Sequence, residues 1–147
     1  MSLVTGINHV AVLTSDIDRF VSFYREVFEM PVLFEETTPA FRHAILRCGP
    51  SCWLHPASVS GSPYGNALPD MFRRGHLDHL GIAAPSSEAF ETIRQRLIER
   101  EASSGVIEDL GAFHSVWFQD PDGMKGELCL IVDPALREFH APRPISG

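Results

Sequence analysis

Lysine is nearly absent from this chain of 147 residues: Lys125 stands alone, beside the turn Asp122-Gly123-Met124-Lys125-Gly126. A mechanism built on a lysine Schiff base would have to work from a turn, which sets such chemistry aside. Cysteine is scarce too. Cys48, Cys52 and Cys129 are odd in number and form no C-x-x-C, so neither a disulfide framework nor a thiolate zinc site is indicated, and small buried hydrophobes are the plain reading. No apolar run reaches the 18 or so residues of a membrane-spanning helix, and Met1-Ser2-Leu3-Val4 has no charged segment before an apolar one. Basic clusters are missing: Arg73-Arg74 is the one adjacent pair, and the net charge of -7 disfavours nucleic acid or an anionic membrane as a partner. There is no GxxxxGK[ST], no GxGxxG after a strand and no GxSxG, which removes the common handles for nucleotide binding and serine hydrolysis. A cytoplasmic domain acting on a small molecule is the expectation.

What is present is 44% apolar residues against 21% charged, enough for one ordinary core without staples. The pattern predicts a strand over Gly6–Leu13. A helix follows, opened by the capping-box spacing of Ser15 and Asp18, carrying Ile17, Phe20, Val21, Tyr24, Val27 and Phe28, and stopped by Pro31. Strands are predicted next over Val32–Glu35, Phe41–Cys48 and Cys52–Ala57. The second half repeats the order: a strand over Leu77–Ala84, a helix with Phe90, Ile93, Leu97 and Ile98 on one side, and strands over Val106–Asp109, Phe113–Gln119 and Glu127–Val132. The expected organisation is one domain over 1–147, with a first module at 5–57, a linker at 58–75, a second module at 76–133 and a surface tail at 134–147.

The repeat has a register. An offset of 70 carries His9 onto His79 and Phe20 onto Phe90; an offset of 72 after the helix carries Phe41 onto Phe113 and His55 onto Glu127. Alternation along strands puts His9 with Ala11, His79 with Gly81 and Ala83, and Glu127 with Cys129, leaving the neighbouring apolar residues for the helices. Trp53, and either Trp117 or Val116 and Phe118, would line the same open faces. A lone strand histidine is ordinarily a satisfied core residue and a lone glutamate an edge residue. Two histidines at one repeat position, with a carboxylate of matching parity, are a different matter. His9, His79 and Glu127, with coordination positions left over, suit a divalent first-row metal, Fe(II) foremost and Zn, Ni, Co or Mn as alternatives. His43 and His114 fall on inner strands as rim or pocket residues, His76 on a strand entry, and His140 in the solvated tail.

The stretches Ile7-Asn8-His9-Val10-Ala11-Val12 with Asp16 to Met30, Leu77-Asp78-His79-Leu80-Gly81-Ile82, and Phe118-Gln119-Asp120-Pro121-Asp122-Gly123 leading to Glu127-Leu128 resemble the vicinal-oxygen-chelate superfamily. That group includes glyoxalase I, extradiol dioxygenases and bleomycin- or fosfomycin-resistance proteins. The resemblance implies an α+β fold of two βαβββ modules packed edge to edge, their sheets forming a cup. It implies metal ligands at His9, His79 and Glu127, and a metal that acts on two neighbouring substrate oxygens. It places His55 where glyoxalases carry a glutamate that ligates and shuttles a proton. The three-ligand set matches extradiol dioxygenases, with His55 and His114 as acid-base candidates; a glyoxalase-type lyase or isomerase and a metal-free drug-binding protein are the alternatives. A homodimer is expected by analogy.

Overall fold

The computed structural model describes residues 8–61, 77, 79–135 and 139–145. The chain divides into two compact units, Met1–Leu68 and Pro69–Gly147. Most of the expected linker, 62–75, lies outside the described residues, as do Ile7 and His76.

The first unit runs β1 (His9–Leu13), α1 (Ile17–Phe28), β2 (Val32–Thr37), β3 (Phe41–Cys48) and β4 (Cys52–Val59). Asp16, one residue after the expected Ser15, caps α1: its carboxylate accepts from the Arg19 amide. Ile17, Phe20, Val21, Phe23, Tyr24 and Val27 form the buried stripe, with Tyr24 and Val27 fully enclosed. Each large apolar side chain so buried contributes roughly 1.5–3 kcal/mol. The sheet order is β1-β4-β3-β2, with β1 parallel to β4 and the other pairs antiparallel. One face carries Ala44, Leu46, Leu54 and Pro56 against α1, and the bidentate Arg42–Asp18 pair at 2.8 and 2.9 Å ties the helix to that face. The other face carries His9, Ala11, His55, His43 and Glu36.

The second unit runs β5 (Leu80–Ala83), α2 (Ser87–Glu99), β6 (Glu108–Gly111), β7 (Phe113–Gln119), β8 (Lys125–Ile131) and β9 (Phe139–Pro144). Ser86 caps α2 through its hydroxyl, which accepts from the Ala89 amide, and Phe90 and Leu97 are buried. Phe118, Val116 and Leu128 are the buried side chains of the same apolar face. The order is β5-β8-β7-β6-β9, with β5 parallel to β8. Each unit therefore has the βαβββ order expected of its half, an α+β architecture of a four-stranded and a five-stranded sheet. The expected surface tail is corrected: residues from Phe139 form a fifth strand antiparallel to β6, pairing Gly111 with Phe139 and Asp109 with Arg143. His140, expected to be solvated, has a side chain only 19% exposed, with Nε2 3.6 Å from Asp109. Among the described residues no helix is long and apolar enough to cross a membrane.

Candidate functional site

In the second unit Gly81 of β5 lies beside Glu127 of β8, and Trp117 of β7 stands directly across from Glu127 on its other side. Directly opposed residues share a face, so Trp117 and not Val116 or Phe118 joins Glu127 on the open side. The glycine leaves the carboxylate unobstructed: a β-carbon at Gly81 would meet only the Cys129 sulfur, at 3.6 Å. His79, just before β5, brings Nε2 to 3.6 Å from a Glu127 carboxylate oxygen, and the Trp117 ring meets the imidazole edge-on with centroids 4.7 Å apart. The indole N–H donates to the Glu108 carboxylate at 3.1 Å, which fixes the wall. Glu127 is 7% exposed.

That spacing bears on what the pair is for. A hydrogen bond between imidazole and carboxylate closes to about 2.7–3.2 Å. Two donors on one divalent ion, each about 2.0–2.2 Å from it, stand roughly 3.0–3.5 Å apart. The observed 3.6 Å is nearer the second case. Ser115, across from Cys129 on this same face, has a buried hydroxyl oxygen with no hydrogen-bond partner among the described residues. An unanswered hydroxyl and a buried carboxylate on one face fit a polar guest such as a hydrated cation. Burial and the nearby Glu127 charge push the Cys129 thiol up to about 12, so it is not a thiolate ligand in the metal-free protein.

In the first unit Ala11 lies beside His55 as Gly81 lies beside Glu127, so the two offsets superpose the two ladders. His9 is exposed, and its Nδ1 is 2.9 Å from the Asn8 side-chain oxygen. That oxygen only accepts, so Nδ1 carries the proton and Nε2 keeps its lone pair, the state a metal-binding imidazole needs. His9 and His55 meet edge to face, with centroids 6.1 Å apart. Burial first, then the neighbouring His43 and His9, lowers the His55 pKa, so it is an uncharged imidazole near neutral pH.

The expected site residues thus come together within each unit: His79 with Glu127, and His9 with His55. Among the described residues, no group of three or more histidine, cysteine or acidic side chains gathers closely enough to hold a metal by itself. His114, expected as an acid-base group, is corrected. It pairs with Leu130, on the face of Val116, Phe118 and Leu128 and opposite that of Glu127. Glu36 escaped the sequence reading, and His43 stood in it only as a rim or pocket residue. His43 places Nδ1 2.8 Å from His55 Nε2 and Nε2 2.9 Å from the Glu36 carboxylate. Glu36 lay beyond the expected end of β2 at Glu35, and its spacing of two from Phe34 was the available signal. A cleft between α1 and β2 lined by Asp18, Ser22, Arg25, Glu26 and Glu35 lies on the helix side of the sheet, away from His55.

A family model described as the Glyoxalase/Bleomycin resistance protein/Dioxygenase superfamily matches residues 6–128. A metallothiol transferase FosB of Shouchella clausii is 30% identical over 130 residues, 82% of this chain and 77% of that protein. The Staphylococcus saprophyticus protein of the same description is 28% identical over 128 residues, 86% of this chain and 77% of its own. A crystal structure of a glyoxylase/bleomycin resistance protein/dioxygenase domain from a Frankia species superposes with a TM-score of 0.75 at 22% identity, covering 87% of this chain and 98% of that one, a likeness of fold.

Proposed function

The chain belongs to the glyoxalase/bleomycin resistance protein/dioxygenase superfamily, and on that premise we propose that it is a divalent-metal-dependent enzyme that transfers a thiol to a small molecule bearing neighbouring oxygens. The observation that carries the metal is the His79–Glu127 pair, a nearly buried carboxylate 3.6 Å from an imidazole nitrogen. A carboxylate so enclosed, with an imidazole nitrogen beside it just beyond hydrogen-bond distance, is the kind of donor pair that a divalent cation answers. This argues against a metal-free binding protein. His79 Nε2 and the Glu127 carboxylate are the proposed ligands here, with His9 Nε2 as the third ligand carried from the sequence. When bound, the metal supplies Lewis acidity to the substrate oxygens.

The chain's own residues do the rest. Trp117 gives a fixed flat wall beside His79, Gly81 keeps the carboxylate approachable, and His55 is the proposed acceptor for the thiol proton. The thiol chemistry is supported by the two metallothiol transferases, each matched over more than four-fifths of this chain. Ring-cleaving dioxygenation with Fe(II) is the second reading, and the exposed Trp117 face favours it, since it would stack a planar aromatic ring.

The test is metal analysis of protein purified without oxygen and without a metal-affinity column. It is followed by thiol consumption with small vicinal-oxygen electrophiles and, separately, oxygen uptake with catechols. Metal lost in Glu127→Gln together with thiol consumption supports the reading. Stoichiometric iron with catechol-dependent oxygen uptake replaces it with the second, and no metal uptake on reconstitution ends both.

A further inference from the structure

Four titratable side chains lie in a row across the open face of the first sheet, one from each strand: His9 on β1, His55 on β4, His43 on β3 and Glu36 on β2. Three of them are joined by short hydrogen bonds, Glu36 to His43 at 2.9 Å and His43 to His55 at 2.8 Å. The protons in that chain can be assigned. A carboxylate only accepts, so the proton between Glu36 and His43 sits on His43 Nε2. Neutral His43 then has a bare Nδ1, which accepts, and the proton in the second bond sits on His55 Nε2. His55 is left with an unprotonated Nδ1.

We infer that Glu36 and His43 are positioning residues that hold His55 as its Nε2–H tautomer, making His55 Nδ1 a fixed acceptor for an acidic O–H or S–H donor on the open face of this unit. His43 itself is not the acceptor. Both its nitrogens are engaged, its side chain is 16% exposed, and the rings of Phe34 and Phe41 flank it with centroids 5.5 and 5.1 Å away. In water a free imidazole samples both tautomers, and each exchange would turn the His55 acceptor into a donor; the relay removes that alternation. The inference stands on the first unit alone and does not depend on the thiol-transfer reading.

The test is long-range nitrogen–proton correlation NMR on uniformly nitrogen-15-labelled full-length protein at pH 8, where imidazoles are neutral. Histidine signals are assigned by single His→Gln variants. The parent is expected to show His55 with a protonated Nε2 and a bare Nδ1. Glu36→Gln should preserve that pattern, because the amide oxygen accepts from His43 as the carboxylate does. Glu36→Leu and His43→Phe should lose it, giving the averaged nitrogen shifts of a free imidazole. Circular dichroism confirms that each variant is folded, and Glu36, half-exposed, is the safer position should His43→Phe fail. An Nδ1–H tautomer of His55 in the parent, or a His55 pattern unmoved in Glu36→Leu, overturns the inference. A correct tautomer in a protein that transfers no thiol would overturn only the functional reading above.

Discussion

The ring of Phe118 fills the space that a side chain on Gly126, directly across the β7–β8 ladder, would need. All three nearest atoms to a β-carbon built there belong to that ring, and none lies at an ordinary contact distance. Phe118 is 4% exposed, so the ring has nowhere to retreat. Gly126→Ala should cost about 1–3 kcal/mol by overpacking. Phe118→Ala should cost about 3–5 kcal/mol by leaving a cavity. The two together should cost less than their sum, because the alanine methyl enters space that the ring has vacated. Urea unfolding of the three variants checks this; strict additivity would show that the two residues do not share the space.

Metal binding should stabilise the fold and should depend on a neighbour that never touches the metal. At a hundredfold excess over the dissociation constant, a ligand of the folded state adds about 2.7 kcal/mol. The melting temperature of the parent should therefore rise with added divalent metal, while that of Glu127→Gln should not. Asn8→Ala frees His9 Nδ1 from its 2.9 Å partner and should weaken metal affinity by roughly 10–100-fold. Calorimetric titration gives both numbers, and an Asn8→Ala affinity equal to the parent's would refute the role of the Asn8 oxygen.

Acid should weaken the metal-free protein partly through His55. Its folded pKa lies below the ordinary histidine value, chiefly from burial. The unfolded chain therefore takes up a proton before the folded one does. Stability is intact above the ordinary histidine pKa and is lost as pH falls from there through the folded value. In His55→Gln the melting temperature should vary less between pH 7 and pH 5 than in the parent; identical slopes would remove His55 from the account.

Two of the three half-buried thiols should be slow to react. Cys129, pushed up to about 12 by burial and then by Glu127, should be alkylated at pH 8 at least about a hundredfold more slowly than a free thiol. Cys48 is also raised, by burial and by Cys52 opposite it in the β3–β4 hairpin. Mass spectrometry of iodoacetamide time courses separates the three sites. Rapid labelling of Cys129 in folded protein would contradict its placement.

The sequence was most informative where alternation and turn residues agree. Phe41–Cys48 and Phe113–Gln119 form with the expected ends, because each is bounded by Pro, Gly or Asp turns. The repeat register carried over as well: His55 beside Ala11 and Glu127 beside Gly81 follow from strand parity. β9 was missed for a physical reason. Pro142 and Pro144 lack ladder donors and read as tail, yet an edge strand tolerates them because one side of it needs no partner. His114 was misplaced although the repeat itself argued otherwise, since the same offset sets it on Arg42, a helix-side residue, and sets Ser115 on His43. The relay from Glu36 to His55 needed the observed length of β2, which runs to Thr37. Strand ends in charged segments depend on pairing with a neighbour, which local pattern does not report.

The parallel pairing of β1 with β4 also has a consequence for how the chain is made. Among the described residues, every strand partner of the first sheet lies between His9 and Val59. A ribosome releasing the chain from its N-terminus delivers the complete set before the second unit has begun. Strand β1 must wait for β4, the last to arrive, and has no place in the ladder until Val59 has emerged. From that moment all four strands of the first sheet are available to pair, while those of the second are still to come.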